Sequence, residues 1–145
     1  MKYFFLLLIP ASLLFACNAN DTKSTPTETA ALKNAVSDSA NYTTVQWLDS
    51  THRTMGTVQQ GQVVEVSWRF KNTGNKPLVI ASASASCGCT VADKPEQPVS
   101  PGETGTIKAR FDSKGREGTE RKQVFVTANT QTPNHELSFE VEVKK

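Results

Sequence analysis

The sequence predicts an all-β protein, an immunoglobulin-like β-sandwich of about seven strands that occupies residues 43–145. Apolar and polar residues alternate along several segments after residue 43, which is the pattern of strands with one face on a core and one in water. Turn residues separate these segments at intervals typical of a sandwich, and no segment after Tyr42 has a helical period. A length of roughly 100 residues also suits such a domain.

The clearest strand is residues 64–71, where Trp68 stands among valines and phenylalanine on the predicted core face. The stretch 72–75, Asn-Thr-Gly-Asn, predicts a turn, since asparagine and glycine are able to adopt positive φ. Prolines and a glycine in 95–102 predict a loop, because proline cannot pair inside a sheet. The predicted strands, in order, are 45–48, 55–58, 64–71, 78–80, 107–112, 123–128 and 137–144.

Residues 1–16 have the pattern of a lipoprotein signal peptide. Lys2 precedes an apolar run at 3–15, which is shorter than the ~20 residues that a spanning helix needs. The ending Leu-Phe-Ala-Cys resembles a bacterial lipobox, in which Cys17 is lipidated, although Phe15 departs from the usual residue. The alternative is an ordinary cleaved signal with an incidental cysteine. Lipidation predicts a protein that is exported and anchored to a membrane of the bacterial cell envelope.

Residues 17–42 predict a flexible tether, since they are rich in small and polar residues. As a coil, such a tether reaches roughly 25–30 Å. The stretch 25–28, Thr-Pro-Thr-Glu, is a capping box and predicts a short, marginal helix near 26–37.

Charge excludes some classes of function. The chain has 16 Lys and Arg against 14 Asp and Glu, a balance that gives no reason to expect a nucleic-acid partner. Four cations near 114–122 alternate with Glu117 and Glu120, which predicts a solvated hairpin. No nucleophile elbow, phosphate loop or cofactor motif occurs, so we expect neither an enzyme nor a bound cofactor.

Several stretches resemble the domain-of-unknown-function 1573 family. They are Phe-Lys-Asn-Thr-Gly at 70–74, Pro-Leu-Val-Ile at 77–80, Ser-Cys-Gly-Cys-Thr at 86–90 and Pro-Gly-Glu at 101–103. The resemblance covers about 45–143. It implies an exported, often lipid-anchored sandwich of the pilus-chaperone and major-sperm-protein type, and it implies no particular activity.

Cys87 and Cys89 are the remaining cysteines if Cys17 carries lipid, an even pair in an oxidising compartment. Three interpretations stay open. In a local disulfide, the Cα atoms of an extended strand would be ~6.6 Å apart, near the upper limit, and Gly88 would kink the chain to close the gap. In a soft-metal site the two thiolates would bind Cu(I), with Met55 or His52 as a further ligand. Zinc would need both His52 and His135, at a spacing unlike that of zinc motifs.

The third interpretation, thiol–disulfide chemistry, has little support, because neither a helix N-terminus nor a close cation adjoins the pair; Lys94 is the nearest in sequence. The sequence therefore favours a non-enzymatic binding or scaffolding module. Its membrane contact would be the N-terminal lipid and its partner another exported protein. The alternative is a copper-binding or thiol-redox protein acting through Cys87 and Cys89.

Overall fold

The computed structural model describes residues 36–145, which form two four-stranded sheets packed face to face. The first sheet has the order β1-β3-β6-β5 and the second the order β2-β8-β7-β4. This arrangement confirms the predicted immunoglobulin-like sandwich. The strands are β1 Val45–Trp47, β2 His52–Gln59, β3 Val63–Asn72, β4 Ile80–Ala85, β5 Thr90–Asp93, β6 Thr104–Asp112, β7 Gly118–Ala128 and β8 Asn134–Lys144.

The chain enters the sandwich through a 3₁₀ turn at Ser39–Asn41. Val36 and Ser37 have helical backbone, and the rest of the helix expected near 26–37 lies outside the described residues. The signal peptide at 1–16, Cys17 and most of the tether lie outside them as well. From residue 36 onward, no helix has the length and apolar character needed to cross a membrane.

The sandwich has eight strands where about seven are predicted, because the short strand β5 was not among the predicted ones. The first two strands lie in different sheets: β1 pairs antiparallel with β3, whereas β2 pairs parallel with β8. The chain changes sheets again between β4 and β5, and the short strand β5 was not predicted. Leu78 was predicted to open a strand but forms an isolated bridge with Val99, and β4 begins at Ile80.

The core is filled by the inward residues of the alternating strands. Trp68, Phe111 and Phe139 are fully buried, with the Phe139 ring centroid 6.3 Å from Trp68 and 6.1 Å from Phe111. The core position of Trp68 follows the prediction, although its indole N–H has no hydrogen-bond partner among the described residues. Gly105 faces Phe70 across the β3–β6 ladder, and a Cβ there would lie 2.4 Å from Phe70 Cζ. Glycine is therefore required by close packing of the ring.

Asn72 has a different role from the predicted one. It is completely buried and uses all its hydrogen-bonding capacity. Its Oδ1 accepts from Thr43 Oγ1 at 2.9 Å and from the Gly74 N–H at 3.1 Å, while Nδ2 donates to the carbonyls of Lys76 at 2.7 Å and Val99 at 2.9 Å. No described non-glycine residue has positive φ, so the asparagines of this turn do not use that conformation.

Gly74 is also not a positive-φ position. A Cβ at Gly74 would lie 2.1 Å from Thr43 Oγ1, so this glycine gives room to the incoming chain. Asn129 completes the same junction, with Nδ2 donating to the Asn41 carbonyl at 2.7 Å and Oδ1 accepting from the Val79 N–H at 2.7 Å. The two buried asparagines thus fix the point where the chain enters the domain.

Candidate functional site

The Cys87–Cys89 pair lies in the turn that carries the chain from β4 to β5, and therefore from one sheet to the other. The structure joins the two cysteines by a disulfide with a Cα–Cα distance of 5.3 Å. This is shorter than the ~6.6 Å of an extended strand. The backbone folds back here, with the Thr90 N–H donating to the Cys87 carbonyl at 3.2 Å.

Gly88 does not close this turn through an unusual φ. It is absent from the described glycines with positive φ, and a Cβ added to it would meet no atom within 4 Å. The expectation that Gly88 supplies a special kink is therefore wrong. Residues other than glycine could therefore occupy position 88 in this turn.

The structure does not bring the predicted additional metal ligands to the cysteines. His52 and Met55 lie on β2, and β4, which leads to the cysteine turn, is at the opposite edge of the same sheet. His52 Nδ1 is 3.0 Å from Ser138 Oγ. Among residues 36–145, no group of three or more His, Cys, Asp or Glu side chains is placed to hold a metal ion.

His135 is also separate from the cysteine pair. It is half-buried at the opposite end of the sandwich, with Nε2 3.0 Å from Thr130 Oγ1 and its ring centroid 5.9 Å from that of Trp47. Burial lowers the pKa of His135 below its usual value of 6.5.

Beside the cysteine turn lies a feature that the sequence analysis missed, a pair of adjoining hollows on the outer face of the first sheet. The larger has a volume of 640 Å³ and crosses β3, β6 and β5. The smaller, of 390 Å³, includes Gly88 and Cys89. Val91 and Arg110 line both, so we treat them as one surface, the basic hollow. Its exposed apolar residues are Val63 and Val91, with 60% and 59% of their surfaces accessible.

Four cations line the basic hollow: Lys108, Arg110, Lys114 and Arg116. All are exposed, and none of their side-chain nitrogens forms an ion pair or hydrogen bond with a described residue. These cations are distant from the cysteines along the chain, so neighbours in sequence give no sign of them. The β5–β6 pairing, together with the turn after β6, places three of these cations in the hollow that Cys89 lines.

Lys122 is buried, whereas the sequence predicts that the whole hairpin near 114–122 is solvated. Only 9% of its surface is accessible, its ammonium group is paired with Glu120, and it lies 5.2 Å from the Phe111 ring centroid. Arg121, the next residue, is exposed as expected and pairs with Glu140 at 2.5 Å. Lys122 points inward because β7 alternates there as it does along its apolar positions.

These features define an immunoglobulin-like domain with a basic hollow and a disulfide-closed turn at one end. A sequence model of the family described as "Protein of unknown function (DUF1573)" matches residues 45–143, and the chain belongs to that family. No curated protein matches the chain.

Solved structures show the same fold. A protein of unknown function from Porphyromonas gingivalis W83 is similar over 72% of this chain, with a TM-score of 0.62 and 18% identity. The chain covers 49% of that structure, about half its length. The ASH/PapD-like domain 7 of human CEP192 matches over 72% of this chain and 87% of its own, with a TM-score of 0.50 and 13% identity. At these identities the likeness concerns the fold alone.

Proposed function

We propose that this protein is a non-enzymatic binding module of the bacterial cell envelope, exported and held to a membrane by lipid on Cys17. The observation that carries the proposal is the basic hollow, which combines exposed valines with cations whose side chains have no partner among residues 36–145. In contrast, buried polar side chains such as Asn72, Asn129 and Ser113 are engaged in hydrogen bonds that hold the fold together. Exposed apolar surface rimmed by polar residues is typical of an interaction site.

Cross-linking in the cell tests this function. A photo-reactive residue replaces Val91 in the hollow, and a matched variant replaces Gln123, which is exposed on the outer face of the other sheet. We expect a discrete protein adduct from position 91 and none from position 123. Absence of an adduct at both positions would contradict a binding function, and an adduct only at 123 would place the binding surface elsewhere.

The anchor has a separate test. Cys17→Ser should leave the exported chain uncleaved or in the soluble fraction, because the lipidated cysteine is the proposed membrane contact. Unchanged membrane fractionation of this variant would refute lipidation without affecting the binding proposal.

A second candidate function is thiol–disulfide exchange, favoured by the position of Cys89 in a hollow that also contains Arg110, Lys114 and Arg116. Nearby cations favour a thiolate over a thiol. The Cys87–Cys89 disulfide would accept two electrons from a dithiol of an exported protein, leaving two thiols here and a disulfide on the partner. Intact mass of the exported protein with and without reductant shows whether Cys87 and Cys89 are joined by a disulfide in the cell. An unchanged phenotype of the double serine variant would exclude this function. Stoichiometric Cu(I) on the reduced chain, lost in Cys87→Ser, would favour copper binding instead.

A further inference from the structure

We propose that the basic hollow binds an extended acidic segment of an exported protein, with an apolar side chain of that segment against Val63 and Val91 and its carboxylates on the surrounding cations. This inference rests on the proposed binding function and identifies the site and the chemistry of the partner. It follows from the residues that face outward on β3, β6 and β5 and from how their charges are engaged.

The outward side chains form rows across the three strands. In one row Glu65 of β3, Arg110 of β6 and Val91 of β5 are adjacent. In the next row Lys108 lies between Ser67 and Asp93. Lys108 and Arg110 are therefore two positions apart on one strand, so their Cα atoms are roughly 6.8 Å apart. An extended segment repeats its side chains at the same interval, and acidic residues at alternating positions would match the two cations.

The two outer faces of the sandwich differ in how their charges are used. On the second sheet, Arg121 pairs with Glu140 at 2.5 Å, and Thr119 Oγ1 donates to Glu142 at 2.7 Å. On that face these charged side chains have partners across the β7–β8 ladder, one through an ion pair and one through a hydrogen bond. In the basic hollow, the side chains of the four cations have no such partner within residues 36–145. Unpaired exposed cations around a concave apolar surface are complementary to carboxylates on a partner.

The composition of the hollow favours a peptide over a polyanion or a lipid surface. Glu65, Asp93 and Asp112 also line it, interspersed with the cations. A nucleic acid or an anionic membrane presents closely spaced phosphates, which these carboxylates would repel. A peptide places single carboxylates at chosen positions and can contact Val63 and Val91 with an apolar residue. β5 is also an edge strand, paired only with β6, so a segment alongside it meets no further strand of the sheet.

Selection from a random-peptide library tests the proposal. The full chain is the bait, and the enriched peptides are sequenced and their affinities measured for three proteins. These are the natural chain, the double variant Arg110→Glu/Arg116→Glu and the control Lys144→Glu. Lys144 is exposed on β8 in the other sheet, and its side chain forms no ion pair in the described structure.

We expect enriched peptides with acidic residues at alternating positions around an aliphatic one. Their affinity should fall roughly tenfold or more in the double variant, since each exposed ion pair alters affinity by a few-fold and reversal makes it repulsive. It should stay within about twofold in Lys144→Glu, whose charge lies outside the hollow. Increasing salt should weaken binding to the natural chain.

Other outcomes overturn the proposal. Enriched peptides without acidic residues, or acidic peptides unaffected by the double variant, would show that the hollow does not select carboxylates. Equal binding to phosphatidylglycerol vesicles or single-stranded DNA at the same salt would show a general anion surface. If position 91 still yields a protein adduct in the cell, the binding function stands and only the acidic partner is wrong. If neither peptides nor adducts are found, both proposals fail.

Discussion

Replacing Asn72 with leucine should strongly destabilise the domain without changing its fold. Leucine has a similar volume but makes none of the four hydrogen bonds of the amide. It therefore leaves the Thr43 hydroxyl, the Gly74 N–H and the carbonyls of Lys76 and Val99 without this partner. The loss is expected to be large because Asn72 is completely buried and water cannot replace it.

The size of the loss in unfolding free energy depends on which of the four hydrogen bonds are buried. The bond to Thr43 is buried, and the hydroxyl orphaned there costs ~1–3 kcal/mol. The buried Val99 carbonyl keeps its bond from the Leu78 N–H at 2.8 Å and loses only the second one, at a smaller cost. The bonds to Gly74 and Lys76 are partly buried, so water offsets more of their loss. We expect a decrease of about 4 kcal/mol in the free energy of unfolding, a large fraction of the ~5–15 kcal/mol typical of a domain.

Urea unfolding followed by tryptophan fluorescence measures this loss, since Trp68 is buried in the core. With a slope of ~1–3 kcal/mol/M, the midpoint should fall by roughly 2 M. Asn75→Ala is the matched control, because Asn75 is exposed in the same turn, and it should change stability by less than ~0.5 kcal/mol. Thr43→Val removes one bond and should cost about 1 kcal/mol. A loss below ~1 kcal/mol for Asn72→Leu, at unchanged slope, would refute the reasoning.

Three further predictions use the same unfolding assay. Gly105→Ala should lower the free energy of unfolding by ~1–3 kcal/mol, because the added methyl group overpacks the Phe70 ring. Gly88→Ala, with open space around its Cβ, should be neutral, and equal effects of the two changes would contradict the packing argument. Replacing Cys87 and Cys89 with serine should cost at most roughly 1.6 kcal/mol, because the bond closes a very short loop; complete unfolding of this variant would show a larger structural role. Burial lowers the pKa of His135 below 6.5, so the unfolded chain binds the proton first and stability should fall as the pH drops below about 6.5. His135→Gln should flatten this dependence between about pH 7.5 and 5.5, and an unchanged slope would assign it to other groups.

The long strands could be predicted from the sequence because alternation is a local signal. β3, β6, β7 and β8 bury every second residue where the pattern indicates it. β5 has only four residues, and β1 only three, so neither carries enough alternation to indicate its sheet. Their pairing partners are distant in sequence, and the choice of sheet depends on those contacts.

The polar junction and the basic hollow could not be predicted for a related reason. Asn72 lies two residues before Gly74 in a turn-like stretch. Nothing local distinguishes a turn asparagine from a buried one whose partners include Thr43 and Val99. Likewise, Lys114 and Arg116 are followed along the chain by Glu117 and Glu120, a mixed-sign pattern that indicates a solvated surface. Only strand pairing shows which charges meet and which remain unpaired. The cysteine turn was recognisable by its motif, but its electropositive surroundings were not.

The chain enters the domain at one end of β3, and the basic hollow extends from the other end to the middle of that strand. Thr43 meets the domain at the Asn72 end, whereas Val63, at the other end, lines the hollow. Asn72 and Val63 are roughly 30 Å apart along the strand, and Ser67, the lining residue of β3 nearest to Asn72, is roughly 17 Å from it. In a lipid-anchored domain, the recognition surface would thus lie away from the point where the tether joins the domain. A partner could approach from the open compartment without entering the narrow space above the bilayer, and the tether could lengthen or shorten without obstructing it.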